Sequence, residues 1–296
     1  MTQLGIGTVQ FGMGYSIASG GTQVELAEIR GILAAANELE IRLIDTAHAY
    51  GDAEARIGDC RPTGAQFRIV TKTAPLKALR GTVDGARLAA SSFAESLARL
   101  GVERVAGLLV HHADDLIAPG GEYLWETLVR LREVGQAASV GVSVYNARQI
   151  DAILDRFDID LIQLPINVFD QRLAREGYLA RIKEKGIEIH ARSAFLQGLL
   201  LMNSEAVPTY LAPVQPILAE WRRTIAACGL SPVQGAFAYL RSVQSLDVVV
   251  LGIASETQLR ENDADWRSAN AIDVDFAAFA IDDEKIVNPG LWARAH

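Results

Sequence analysis

Cysteine is nearly missing from this chain. The two that occur, Cys60 and Cys228, stand alone, with no companions at metal-ligand spacing. A thiolate metal cluster is therefore excluded, and the pair fits a reduced, cytoplasmic interior better than a long-range disulfide. Positive charge is also short. Lys and Arg number 28 against 36 Asp and Glu, a net charge of -8. Such a field repels phosphate backbones and acidic membrane surfaces, so no nucleic acid partner is expected. Long apolar runs are absent: stretches such as Val105–Val110 are far too short to cross a bilayer. Met1-Thr2-Gln3 leads straight into a strand-like run, without the basic segment and apolar stretch of a secretory leader. No G-x-G-x-x-G follows a strand, and Gly5-Ile6-Gly7 is too short for a dinucleotide fingerprint.

What is present is material for a large core. Half of the 296 residues are hydrophobic and 22% are charged, which suits one large barrel-like domain over residues 1–296. Short apolar runs at 4–9, 41–45, 67–70, 105–110, 138–142, 161–164, 187–191 and 247–251 read as eight strands. Segments with apolar residues every three or four positions read as helices at 24–39, 54–59, 82–100, 122–134, 147–157, 178–185, 213–227, 232–243 and 256–262. Thr22 is a candidate cap for the first helix, residues 11–21 read as a loop, and Trp125 and Leu128 as packing residues. Alternation of continuous apolar strands with helices indicates a parallel sheet covered on both faces. Eight such units predict a (β/α)8 TIM barrel, with a doubly wound open sheet as the alternative. A barrel carries its chemistry at the carboxyl ends of its strands.

Polar residues stand at those ends. Asp45 closes the second strand, Lys72 follows the third and His111 the fourth, with Tyr50 in the loop after Asp45. Taken singly, Asp45 reads as a turn cap, Tyr50 as a loop aromatic and Lys72 as a snorkelling lysine. Placed together on successive strands, they suit protonation of a carbonyl oxygen. A free tyrosine titrates near ~10 and is a poor acid at neutral pH. An adjacent ammonium favours its ionised form, and a carboxylate steadies that ammonium. A neutral histidine orients the carbonyl. None of the four supplies an electron pair, for which a nicotinamide cofactor is the natural source.

The segments DTAHAYG at 45–51, VTKT at 70–73 and LLVHHADDL at 108–116 resemble the signature segments of the aldo-keto reductase superfamily. The resemblance continues through GVS at 141–143, IQLPIN at 162–167, SAFLQGLL at 193–200 and LGIASETQLREN at 251–262. It implies a (β/α)8 barrel that reduces aldehydes or ketones with NAD(P)H. It also implies Tyr50 as general acid, Lys72 and Asp45 as the pair that tunes it, and His111 as the group that orients the carbonyl. His112 falls at the variable position beside it, a rim or substrate-side residue.

For the cofactor, the resemblance implies Ser143 and Gln163 on the nicotinamide carboxamide, although Val144 replaces the usual Asn. Arg192 stands where many members stack an aromatic ring, with Ser193 beside it; Gly7 and Thr8 approach from the first strand. Gly252, Ser255, Gln258 and Asn262 match the loop and helix start that hold the adenosine phosphates. Some members clamp a 2'-phosphate with Lys and Arg where this chain has Gly252 and Gln258. NADP(H) is favoured by family habit and NAD(H) stays open. Asp114 and Asp115 look metal-like beside the histidines, but Asp114 matches an acidic position common in the family's loop, and no metal is expected. The implied substrate is a small, sugar-like carbonyl compound. An NAD-dependent sugar or alcohol dehydrogenase, or a cofactor-sensing barrel with negligible turnover, is the alternative.

Overall fold

The computed structural model describes residues 2–14 and 22–292. Among them, eight parallel strands close in chain order, each paired with the next and the last with the first. They are β1 (Gln3–Gly7), β2 (Leu43–Asp45), β3 (Arg68–Lys72), β4 (Val105–Val110), β5 (Ala137–Ser143), β6 (Leu161–Pro165), β7 (Glu188–Arg192) and β8 (Val248–Gly252). Closure, with Gly5 opposite Val250, settles the topology as a (β/α)8 barrel. The helices between strands are α1 (Val9–Gly12), α2 (Leu26–Glu38), α3 (Ala53–Cys60), α4 (Val83–Leu100), α5 (Ala113–Ile117), α6 (Gly121–Glu133) and α7 (Ala147–Leu154). They continue as α8 (Arg172–Arg175), α9 (Tyr178–Glu184), α10 (Gln215–Ala227), α11 (Pro232–Ser242), α12 (Glu256–Ser268) and α13 (Glu284–Val287). None of the described helices is long and apolar enough to cross a membrane.

Alternation along the strands sorts the core into two clusters. Leu43, Val70, Leu109, Leu161, Val248 and Val250 pack together inside the barrel. Their neighbours Ile44, Ile69, Leu108, Val110, Ile162 and Val249 belong to the larger layer between strands and helices. Side chains two residues apart share a face. Asp45, Lys72, His111, Gln163 and Gly252 each follow an inward-facing apolar residue by two positions, so they too point inward, one layer above it. The inner cluster floors the site with buried Leu and Val, each worth roughly 1.5–3 kcal/mol against exposure. Gly141 permits this closeness: a Cβ there would lie 1.7 Å from the Leu161 carbonyl oxygen.

Three local expectations change. β1 ends at Gly7, and Val9 starts the short helix α1 inside the stretch read as strand and loop; positions 15–21 of that stretch lie outside the described residues. Thr22 does not cap α2, whose first residue is Leu26 after an extended Glu25. The reason is competition for the chain before it: Val24 N–H donates to the Gln10 carbonyl, and the Gln23 amide to the Phe11 carbonyl, tying 23–24 to α1. The tail is also less featureless than its sequence suggests. It forms α13, and the Trp292 indole N–H donates to the Ile286 carbonyl at 3.0 Å.

Candidate active site

Lys72 is 2% exposed, at the top of β3 and above the apolar floor. Its ammonium reaches Asp45 Oδ1 at 2.7 Å, Asp45 Oδ2 at 2.8 Å and the Thr46 carbonyl at 2.9 Å. Burial, the larger influence, lowers the Lys72 pKa, and the Asp45 carboxylate pulls it back up. Three acceptors match the three protons of an ammonium, so this surrounding completes the charged form. The Gln163 amide donates to Asp45 Oδ1 at 2.7 Å. Asp45 is thus held from two strands, and Gln163 spends a donor on it.

The loop after β2 presents Tyr50. Its backbone N–H donates to Ala47 O, its carbonyl accepts from Ala53 N, and His48 N–H donates to Lys72 O. Gly51 turns the chain with φ of 59°, a conformation that favours glycine. Its Cα faces Gly12 so closely that a Cβ would lie 2.4 Å from the Gly12 carbonyl oxygen. The loop is therefore clamped onto α1. Lys72 Nζ lies 5.2 Å from the Tyr50 ring centroid, and the His111 ring meets Tyr50 edge-on at 5.7 Å.

His111 ends the fourth unit. Its ring stacks on His112 at 4.8 Å and 8°, while His112 itself is exposed at the rim. Burial foremost, then the charges of Lys72, His112 and Arg192, push the His111 pKa down to about 2. The ring is therefore neutral at every ordinary pH. One nitrogen, Nδ1, is buried without a partner in the protein. A neutral imidazole with an unspent polar atom suits a group that orients a ligand.

These side chains share one cavity of about 440 Å³, within the usual range for a small-ligand site. Of the residues expected at a cofactor, Gly7, Thr8, Ser143, Gln163, Arg192, Ser193, Gly252 and Gln258 line it. Thr8 donates its hydroxyl to the Asp45 backbone carbonyl at 3.0 Å, which braces β2. Ser193 adopts φ of 60°, and its carbonyl accepts from the buried Asn167 side chain. The Asn of the IQLPIN segment thus fixes the loop after β7. Ser255 and Asn262 are not brought to the cavity wall. The Ser255 hydroxyl caps α12 by accepting Gln258 N–H, and Asn262 is buried within that helix with its amide nitrogen unpartnered.

Sequence reading missed Tyr145 and Gln10, both on the cavity wall. Tyr145 was within reach, because the inward parity of Gly141 and Ser143 continues to it. Its N–H donates to Gln149, whose amide donates to Asp114. Asp115 accepts from Leu76 N–H and the Arg80 guanidinium. Both acids of the HHADD segment are thus engaged within the protein. Gln10 fills the space beside Gly252, where a Cβ would lie 2.5 Å from its amide nitrogen. Its side-chain oxygen is buried and unpartnered. The unspent polar atoms on His111 and Gln10 leave the cavity with groups free to meet a bound ligand.

A family model described as the aldo/keto reductase family matches residues 3–273. An aldo-keto reductase of Mycolicibacterium vanbaalenii is 34% identical over 187 residues, 60% of this chain and 62% of that protein. The chain thus spans less than two thirds of the length of this curated relative. Among solved structures, the holo form of an aldo-keto reductase from Bacillus halodurans superposes with a TM-score of 0.72 at 20% identity, covering 91% of this chain and 88% of that one. A glycerol dehydrogenase from Gluconobacter oxydans gives 0.71 at 19% identity, over 93% and 89%. At these identities the two likenesses speak to the fold.

Proposed function

The chain belongs to the aldo/keto reductase family, and from that premise we propose that it reduces a small aldehyde or ketone to the alcohol with NAD(P)H. One observation carries the reading: the Lys72 ammonium is locked on Asp45 and stands 5.2 Å from the Tyr50 ring, with the neutral His111 ring on Tyr50 as well. When bound, the reduced nicotinamide supplies the hydride. Tyr50 gives its phenolic proton to the carbonyl oxygen. Lys72 favours the phenolate that results, because a nearby cation stabilises the ionised form. Asp45 keeps Lys72 charged and fixed, and Gln163 keeps Asp45 in place. His111, neutral, donates a hydrogen bond that orients the carbonyl, and the apolar floor of Leu43, Leu109 and Leu161 keeps water from beneath. Ser143 and Gln163 are the proposed partners of the carboxamide. The same groups serve the reverse reaction, oxidation of an alcohol or a sugar hydroxyl.

The far end of the cavity supports NAD(H) over NADP(H), against family habit. Gly252 offers no cation, and the Gln258 oxygen is spent on Ala254 N–H. Arg260, the nearest substitute, donates to Glu256 and Glu38. Glu28 accepts the Glu256 N–H at the start of α12. Glu28 and Glu256 thus stand together at the start of α12, and Glu38 helps hold Arg260 away from it; acids at this helix start disfavour a 2'-phosphate. NADH is expected to bind about tenfold more tightly than NADPH, a difference of about 1.4 kcal/mol. A fluorescence titration with each, followed by addition of an aldehyde, measures this. Tighter NADPH would show that the acids do not face the 2' position. No saturable binding of either would overturn the reductase reading.

A further inference from the structure

Three charged side chains line the cavity: Asp45, Lys72 and Arg192. Asp45 and Lys72 neutralise one another at 2.7 Å. Arg192 is left over, and among the described residues it pairs with no carboxylate. Asp170 is near enough for Arg192 to favour its ionised form, but both of its oxygens are taken by Arg172. Among the described residues, a protein of net charge -8 therefore keeps in this cavity one cation with no carboxylate hydrogen-bonded to it.

The Arg192 guanidinium is also positioned. One face lies 4.1 Å from the Tyr145 ring centroid. One terminal nitrogen donates to the Val144 carbonyl at 3.0 Å, and the other to the Ser193 hydroxyl at 3.3 Å. Two of its five N–H donors are spent, and the rest suit a planar oxyanion, which arginine binds bidentately. It stands close enough to the reaction centre that its charge is felt at both Lys72 and His111.

We propose that the carbonyl substrate carries an oxyanion group, a carboxylate or a phosphate, a few atoms from its carbonyl, and that Arg192, held on Tyr145, binds it. This rests on the reductase reading above and names the substrate class of that site. Tyr145 is a positioning residue that acts through Arg192.

The test has a binding arm and a kinetic arm. In the first, protein saturated with oxidised cofactor is titrated with butanoate and with butanamide by calorimetry. Butanoate is expected to bind the wild type more tightly, and Arg192→Met to erase the difference, a loss of about 10- to 100-fold. In the second, kcat/KM is compared for succinic semialdehyde against butanal and for glyceraldehyde 3-phosphate against glyceraldehyde. The charged member of at least one pair is expected to lead, and Arg192→Met to collapse that ratio mainly through KM, with Arg192→Lys restoring part of it. The pair that leads tells carboxylate from phosphate. Equal binding of butanoate and butanamide by the wild type, with no lead for the charged member of either substrate pair, would overturn the proposal. So would an Arg192→Met variant that keeps its ratio but loses NADH and NADPH affinity, since the anion would then be the cofactor's own diphosphate. The binding arm needs no turnover, so its failure is distinct from failure of the reductase reading.

Discussion

Tyr50→Phe is expected to lower kcat/KM by about 10³-fold, the middle of the range that a positioned general acid contributes. NADH affinity should stay within about threefold, because the substitution removes one oxygen and leaves the ring between His111 and Lys72. The loop would keep its shape, since its hold on α1 is made by backbone and by Gly51. Stopped-flow reduction of an aldehyde by enzyme loaded with NADH separates the two effects. Turnover within tenfold of the wild type would remove Tyr50 from the role of proton donor. Lost cofactor affinity would make it a binding residue instead.

Lys72→Met should cost both activity and stability. The Asp45 carboxylate is 4% exposed, and without the ammonium it retains only the Gln163 amide and what solvent can enter. Breaking a buried pair from one side destabilises by about 3–5 kcal/mol. Activity is expected to fall about 10³-fold, since the phenol loses the charge that favours its ionisation. The double variant Asp45→Asn/Lys72→Met discriminates between roles. Removing both charges should recover much of the stability, because no uncompensated ion is left, and should recover none of the activity. Urea unfolding and steady-state rates on the same preparations measure the two. Recovered activity would reduce the ion pair to a structural one.

Protonation of His111 adds a pH signature to stability. An unfolded chain binds a proton at this imidazole near pH 6.5, whereas the folded site does so only near 2. As pH falls below about 6.5 the unfolded state binds more protons, so His111 withdraws stability through that window. At neutral pH and above it contributes no such penalty.

Much of this architecture is legible in the sequence because two signals coincide. Each strand is a short apolar run, and each run stops at a polar residue that must sit at a mouth of the barrel. Asp45, Lys72 and His111 could be grouped because consecutive strands are neighbours in a barrel. Ser143, Gln163 and Arg192 came from the resemblance, and strand parity in the structure puts them on the same inner face. What escaped reading depends on partners distant in sequence. Glu28 caps a helix 228 positions away, and Arg260 is drawn off by Glu38 across 222 positions. Nothing local marks either pairing, so the helix start at α12 looked like an open anion site. Gln10 beside Gly252 is similar, since the packing of α1 against β8 decides it. His190 shows a further limit. It is fully buried in β7 and bonds Glu188, whose carboxyl the His190 hydrogen bond and Arg68 hold down at about 2. A polar pair on one face of β7 has no signature in a run that reads as an ordinary strand.

Passage of deuterium to carbon is the most direct test of the central claim that Tyr50, Lys72, Asp45 and His111 form a carbonyl-reducing site. A panel of aldehydes would be incubated with NADH deuterated at nicotinamide C4, and the alcohols read by NMR. The expected result is one deuterium on the former carbonyl carbon with the wild type, and almost none over the same time with Tyr50→Phe. Alcohol formed without the label, or cofactor bound with no alcohol from any member of the panel, would contradict it.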